Sequence, residues 1–206
     1  MFKGNEGGSC VDAAQPSRLA SRLPSCAIVL GASGRVGGAF TRRLRRDGWA
    51  VIEDPADPVT AARSAASGSG AWLFDCAYRD GDPAAHVERV GAHLAHWRDY
   101  AGIFVPSSDW IDQDEPYGLA KRAVEALAAF YRSLGANVIT DRIDYFPGDG
   151  KQADPREPMI DRLVDGETLY ARVMAALRTP AIVDSTEAAS SGRQISRSGS
   201  SGSAQL

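Results

Sequence analysis

Tyr117 and Lys121 lie four positions apart, and their side chains together can move protons. Residues at positions i and i+4 of a helix share one face, so the phenol and the ammonium would lie side by side. A neighbouring positive charge lowers the pKa of a phenol, which then donates and accepts protons near neutral pH. The chain has six Tyr and three Lys, so this spacing arises by chance in about one such chain in ten. The spacing predicts an acid–base pair, with a solvated pair of helix residues as the alternative.

A glycine-rich segment, residues 31–37, directly follows an apolar run and opens a helical pattern. Gly31 would permit a tight turn, Gly34 would let the backbone approach a pyrophosphate, and Gly37 would let the helix pack closely on the strand. The free N–H groups at the start of the helix would then face the phosphates. A plain turn in a flavodoxin-like sheet is the alternative. The residues that we expect at this dinucleotide site are Gly31, Ser33, Gly34, Arg35, Val36 and Gly37.

Short apolar runs alternate with longer helical patterns between these motifs and around them. Strands that are apolar throughout and separated by helices indicate a parallel sheet with helices on both faces. We therefore predict an α/β fold. The predicted strands are 27–30, 49–52, 71–78, 102–106, 137–140 and 181–183, and the predicted helices are 35–46, a short one within 56–70, 83–100, 117–134, 158–164 and 168–177.

The composition of the chain excludes several classes of partner. Its 206 residues carry a formal net charge of −3, with 44% apolar and 24% charged residues. This balance gives no reason to expect a nucleic acid or an anionic membrane as partner. No apolar run approaches the roughly 20 residues of a membrane span. Cys10, Cys26 and Cys76 lack metal-ligand spacing, so we expect reduced thiols and a cytoplasmic location.

The two ends of the chain are rich in Gly and Ser and poor in large apolar residues. Such segments cannot bury enough apolar area to offset the entropy of ordering them. We predict a disordered segment at 1–25, one folded dinucleotide-binding domain at 26–184 and a disordered Ser/Gly-rich tail at 185–206.

Four stretches of the chain, residues 28–37, 73–78, 103–108 and 116–125, resemble the extended branch of the short-chain dehydrogenase/reductase superfamily. This branch contains NAD-dependent epimerases and dehydratases that act on nucleotide sugars. The Pro-Tyr-Gly lead-in to the Tyr-x-x-x-Lys is the most specific of the matches. The resemblance implies a Rossmann-like, doubly wound sheet, an NAD or NADP cofactor, and a sugar nucleotide or a small hydroxy or carbonyl compound as substrate.

The resemblance also implies roles for individual residues. Ser108, in preference to Ser107, looks like the serine that hydrogen-bonds the substrate oxygen. Tyr117 would move the proton, and Lys121 would also bind the nicotinamide ribose. Hydride chemistry would belong to the cofactor. Further residues expected along the cofactor are Asp75, Cys76 and Ala77.

The end of the second predicted strand carries Glu53 and Asp54, one or two residues earlier than the family's usual acidic residue. Either carboxylate would favour NAD by repelling a 2′-phosphate. Arg35, Arg42 and Arg43 could instead pair with a 2′-phosphate, which leaves NADP as the alternative cofactor. We expect a slight preference for NAD.

The chain is shorter than the family pattern between Asp54 and Ala71, where the usual third strand and its helix would lie. It is also shorter in the loop between Ser108 and Tyr117 and in the region after Phe146, which shape the substrate pocket in the family. Substrate specificity in the family is set there, so a catalytically silent dinucleotide-binding regulator or partner is the alternative function. The family often forms dimers through a four-helix bundle, which implies a homodimer here. The apolar stripes that would suit this bundle, or equally packing on the sheet, are Val87, Val90, Leu94 and Trp97 on one helix and Val124, Leu127 and Tyr131 on the next.

All three histidines, His86, His93 and His96, fall on one predicted helix. Two turns of helix, about 10.5 Å, separate His86 from His93, which is too far for both to hold one zinc ion easily. We expect a polar helix face and no metal.

Overall fold

The computed structural model of the protein describes residues 26–65, 70–78, 81–112, 114–144, 146 and 165–178. The predicted helix at 158–164, the predicted strand at 181–183 and both terminal segments lie outside these residues.

Strands and helices alternate along the described chain, and local signals fix several of their ends. One helix begins at Pro83 after Asp82, whose carboxylate accepts a hydrogen bond from the Ala85 N–H at 3.0 Å. The helix that ends at Arg46 is followed by Gly48 at a φ of +84°, a conformation that glycine adopts without strain. The strands are β1 (Cys26–Leu30), β2 (Ala50–Glu53), β3 (Ala71–Asp75), β4 (Gly102–Ser108) and β5 (Val138–Ile143). The helices are α1 (Arg35–Arg46), α2 (Pro58–Ala65), α3 (Pro83–Ala95), α4 (Pro116–Ser133) and α5 (Gly166–Arg178), with 3₁₀ turns at Trp97–Asp99 and Asp109–Asp112.

The five strands form one parallel sheet in the order β2-β1-β3-β4-β5. Ile28 of β1 stands opposite Ile52 on one side and Leu73 on the other. The strand order reverses between β1 and β3, and ligands of such sheets bind in the crevice at that point, outside the carboxyl ends of the strands. The predicted doubly wound α/β fold is confirmed, and the glycine-rich segment lies at the reversal. This order is also that of a Rossmann sheet without its outermost strand, for which the short connection between β2 and β3 leaves no room.

Apolar side chains pack on both faces of the sheet. One core, which includes Val90 of α3 and Val124 of α4, lies between the sheet and α2, α3 and α4. The other, centred on Phe40, Phe74 and Phe104, lies between the sheet and α1 and α5. Because α3 and α4 pack side by side on the first core, their predicted apolar stripes serve the sheet and each other.

The last two strands extend further than their apolar runs predict. Strand β4 continues through Ser107 and Ser108 because these residues pair with Arg142 and Ile143 of β5. The predicted helix 83–100 ends at Ala95 and is followed by a 3₁₀ turn. None of the helices in the described part of the chain is long and apolar enough to cross a membrane.

Candidate functional site

The turn after β1 requires glycine at two positions. Gly31 has a φ of +71°, and a Cβ there would lie 2.8 Å from the Ala77 backbone, at the end of β3. A Cβ on Gly37 would lie 2.1 Å from the Gly31 carbonyl oxygen, far inside van der Waals contact. The first turn of α1 therefore packs directly on the loop, and only glycine permits this approach.

The amino end of α1 is open to a ligand. Gly34 is the N-cap residue and supplies no side-chain hydrogen bond to the helix. Ser33, Gly34 and Arg35 are exposed. The first N–H groups of a helix lack partners within it and carry a partial positive charge, which suits a phosphate group.

Asp54 lies beside the same loop. Its two carboxylate oxygens accept hydrogen bonds from the N–H groups of Gly31 at 2.6 Å and Ala32 at 3.1 Å. Asp54 has a φ of +40°, a left-handed conformation that residues other than glycine seldom adopt. Glu53, by contrast, forms an ion pair with Arg45. Asp54 is thus the acidic residue that the fold places next to the loop.

Tyr117 and Lys121 are brought together at the carboxyl edge of the sheet. The Lys121 Nζ lies 5.7 Å from the centre of the Tyr117 ring and donates a hydrogen bond to the Pro106 carbonyl at 3.0 Å. Lys121 is 4% exposed, and burial lowers its pKa to about 8, although the Asp75 carboxylate acts in the opposite direction. Because this lysine is buried, a solvated pair of helix residues does not describe it.

The two serines at the end of β4 have different partners. The Ser107 hydroxyl donates to Glu125 Oε1 at 2.6 Å, and this carboxylate also holds Arg142 through two hydrogen bonds. The Ser108 hydroxyl accepts a hydrogen bond from the Trp110 N–H at 3.2 Å. Ser107 is therefore committed to a structural pair, whereas the proton of Ser108 is available for another acceptor.

A buried polar network beneath Lys121 was not predicted from the sequence. Asp75 is 1% exposed, and its carboxylate meets His93 Nδ1 at 2.9 Å and Arg89 Nε at 3.3 Å. His86 and His93 are buried, so the expectation of a polar helix face was wrong for both; only His96 is exposed. A carboxylate at the end of a buried strand needs hydrogen-bonding or charged partners. The position of Asp75 at the end of an apolar run was therefore the sequence signal that could have indicated buried partners.

Tyr78 joins the network to the acid–base pair. Its ring packs edge-to-face on Tyr117, with 5.2 Å between the ring centres, and on His86 at 5.1 Å. The Lys121 Nζ lies 5.2 Å from the centre of the same ring. Tyr78 therefore helps to shield the lysine amine from water, a role that the sequence did not indicate.

Cysteine and metal chemistry receive no support from the described residues. Burial raises the pKa of the Cys76 thiol, which disfavours the nucleophilic thiolate. Within the ranges that the structure describes, no group of three or more His, Cys, Asp and Glu side chains could hold a metal ion.

A groove of about 560 Å³ lies away from this site, between α4 and β5. Three arginines line it, and each already has partners: Arg122 contacts Asp114, Arg132 donates to the Val138 carbonyl, and Arg142 pairs with Glu125. The groove contains none of the predicted site residues.

No protein-family model matches the chain, and no curated protein matches it. Solved structures do match. The capsular polysaccharide assembling protein CapF of Staphylococcus aureus gives a TM-score of 0.53 at 20% identity, over 78% of this chain and 52% of that one. UDP-N-acetylglucosamine 4-epimerase of Bacillus cereus gives 0.55 at 16% identity, over 75% and 73%.

A short-chain dehydrogenase/reductase superfamily protein of Agrobacterium tumefaciens, with bound NAD, gives a TM-score of 0.54 at 18% identity, over 75% of this chain and 74% of that one. The chain therefore has the fold of the extended short-chain dehydrogenase/reductase type. It spans about half the length of the CapF chain.

Proposed function

We propose that the protein is an NAD(P)-dependent enzyme of the short-chain dehydrogenase/reductase type, an oxidoreductase, epimerase or dehydratase. Its substrate would be a sugar nucleotide or a small hydroxy or carbonyl compound. The observation that carries the proposal is the position of Tyr117 and Lys121, packed together at the same edge of the sheet as the open, glycine-rich end of α1.

The residues around the loop suit a dinucleotide. The N–H groups of Ser33, Arg35 and Val36 would hold the pyrophosphate, since no side chain caps this helix start. The Gly34 N–H already donates to the Gly31 carbonyl at 2.9 Å, so Gly34 would contribute by letting the backbone approach the phosphates. Gly31 and Gly37 would keep the loop closed against β3 and α1.

Asp54 would bind the adenine ribose, because it is the carboxylate that lies beside Gly31. This charge would repel a 2′-phosphate, which favours NAD over NADP. Arg43, which could have favoured NADP, is paired with Glu167 of α5. Cys76 and Ala77 would border the cofactor through their backbone, since Ala77 touches Gly31, whereas the buried Asp75 side chain is held by His93.

When bound, the dinucleotide would supply a nicotinamide ring that accepts or donates a hydride. Tyr117 would take the proton from the substrate hydroxyl as the hydride leaves the carbon, and would return it in the reverse direction. Ser108 would donate a hydrogen bond to the substrate oxygen. Lys121 would bind the nicotinamide ribose and tune the phenol, whose ring centre is 5.7 Å from its amine.

Titration of the purified protein with NADH and with NADPH, followed by nicotinamide fluorescence, tests the proposal. We expect binding of NADH in preference to NADPH; binding of neither would refute the proposal.

The Tyr117→Phe variant should keep cofactor binding and lose turnover by about 10²–10⁴-fold, the range of a general acid–base contribution. An unaffected rate would remove Tyr117 from the mechanism, and binding without turnover of any substrate would identify a silent dinucleotide-binding protein.

We also propose a cytoplasmic homodimer. Cys26 and Cys76 are free thiols, which agrees with a reducing compartment. Leu119, Phe130 and Leu134 are exposed large apolar residues on or directly after α4, about half of each being accessible. Spacings of 11 and 15 residues place them on one side of the helix, so α4 could pack against a second copy.

A further inference from the structure

The His86 ring lies between two nitrogen groups that both donate hydrogen bonds when charged. Its Nδ1 is 2.8 Å from an Arg89 guanidinium nitrogen, and its Nε2 is 3.4 Å from Lys121 Nζ. His86 is 2% exposed, so water does not replace either contact. The protonation state of this ring must therefore satisfy both neighbours.

Arg89 fixes that state. A guanidinium can only donate and stays charged in proteins, so its 2.8 Å contact is a hydrogen bond only when Nδ1 accepts. The Ala77 carbonyl is the acceptor to which the ring could donate instead, and it is already occupied by Arg89. The same Arg89 nitrogen donates to the Ala77 carbonyl, and Arg89 Nε donates to Asp75, which anchors the guanidinium. A neutral imidazole that accepts at Nδ1 carries its proton on Nε2, the atom that faces Lys121.

This tautomer discriminates between the two forms of Lys121. A charged ammonium would meet the Nε2–H with another donor, whereas an uncharged amine can accept that hydrogen bond. The Pro106 carbonyl accepts from Nζ in either form.

We propose that His86 is a positioning residue: locked by Arg89 as the Nε2–H tautomer, it favours the uncharged amine of Lys121. Lys121 then still carries the charge that tunes Tyr117 at pH 7, but it can gain and lose its proton close to pH 8. The use of this proton in catalysis rests on the proposed function, but the protonation behaviour itself does not.

The charges around Lys121 agree with this arrangement. Burial, followed by the repulsion of Lys121 and Arg89, lowers the pKa of His86 to about 4, which keeps its ring neutral. Burial is also the main cause of the lowered pKa of Lys121. Asp75 is the carboxylate that most strongly opposes this lowering of the Lys121 pKa, and it is already shared between His93 and Arg89. The titratable and charged groups that face Lys121 come from β3 and the loop after it, from α3 and from α4. They are Asp75 at the end of β3, Cys76 and Tyr78 after it, His86 and Arg89 of α3, and Tyr117 and Glu125 of α4.

The composition of the chain makes a direct test practical, because it contains three Lys and three His. Protein labelled with ¹³C at Lys Cε and ¹⁵N in the His rings would be titrated by NMR without cofactor or substrate. The Lys121→Arg variant identifies the Lys121 signal. We expect His86 to show the neutral Nε2–H pattern above pH 5, and Lys121 to titrate near pH 8, well below the ordinary value of about 10.4.

A matched pair of variants separates the effect of the His86 N–H on the pKa of Lys121 from the effect of burial. His86→Phe keeps an aromatic ring against Tyr78 but removes the facing N–H, so the pKa of Lys121 should rise by about one unit, a tenfold gain in proton affinity. His96→Phe, at the exposed end of the same helix, should leave it unchanged.

An Nδ1–H or charged His86 ring, or an ordinary Lys121 pKa in the unmodified protein, would overturn the proposal even if His86→Phe fails to fold. An unchanged Lys121 pKa in a folded His86→Phe protein would do the same. Since these measurements need no dinucleotide, they can fail while NADH still binds, and they can succeed when it does not.

Discussion

Lys121 combines a proposed catalytic role with a cost to folding. Its ammonium is desolvated in the folded protein and hydrated in the unfolded chain, so folding lowers its pKa to about 8. The folded state therefore binds fewer protons than the unfolded state between about pH 8 and the ordinary lysine pKa. The penalty, about 3 kcal/mol from the shift, is complete below pH 8 and fades as the pH rises toward 10.4.

Replacing Lys121 with Met should consequently stabilise the protein while abolishing any turnover. We expect a gain of about 1–2 kcal/mol at pH 7, because the lost hydrogen bond to the Pro106 carbonyl offsets part of the relief. The gain should shrink between pH 8 and pH 10. Urea unfolding of both proteins across this range measures the difference, and a Lys121→Met protein that is less stable at pH 7 would contradict the account.

At the residue scale, sequence reasoning identified Tyr117 and Lys121 because their spacing and the scarcity of lysine stand out in the chain. It assigned no role at the site to His86 and Tyr78, which contact Lys121 from a different helix and loop, or to Arg89, which holds His86. Their contacts depend on how α3 packs beside α4, and that packing has no local signature in the sequence. Asp75 was expected along the cofactor, but its burial with His93 depends on the same packing.

At the element scale, the contact between the glycine-rich loop and α1 is the feature most sensitive to a small substitution. A methyl group at Gly37 would lie 2.1 Å from the Gly31 carbonyl oxygen. Alanine favours the helix by up to about 1 kcal/mol over glycine, but the clash with backbone should outweigh this gain. Gly37→Ala should therefore lose about 2–3 kcal/mol of stability, and displacement of the loop should abolish NADH binding.

Gly91→Ala provides the matched control within a helix, because its Cβ would meet only the end of the Leu127 side chain at 3.9 Å. This variant should be neutral or slightly stabilised and should bind NADH like the unmodified protein. Thermal unfolding and the fluorescence titration together check both variants. Equal behaviour of the two would show that the loop tolerates a wider separation from α1.

The boundaries of the elements were predictable where the sequence carries a local signal. Glycine and proline mark the ends of α1 and the start of α3, and the apolar runs mark the centre of each strand. The extension of β4 to Ser108 has no such signal, because these polar residues are in the sheet only through their pairing with β5. This extension matters for the site, since it places Ser107 against Glu125 and Ser108 at the edge of the sheet.

At the scale of the whole molecule, the structure distinguishes two possible dimer surfaces: the apolar stripes predicted from the sequence and the exposed apolar face of α4. The stripes predicted for a dimer are occupied within the chain, where Val90, Leu94 and Val124 are buried in the core on the α3–α4 face. The surface that remains is Leu119, Phe130 and Leu134, of which Phe130 is 56% exposed. A second copy that packs on this stripe would remove these side chains from water, at roughly 25 cal/mol for each Å² of apolar surface covered.

Phe130→Ser should accordingly convert a dimer into a monomer without loss of folding, since Phe130 belongs to neither apolar core of its own chain. Light scattering after size exclusion measures the mass, and circular dichroism checks the fold. Ala176→Ser, an exposed substitution on α5 at the far face of the sheet, should leave the dimer intact. A monomeric mass for the unmodified protein across micromolar concentrations would refute the homodimer. NADH binding should survive in the Phe130→Ser monomer, because the loop, Asp54 and Tyr117 all belong to one chain.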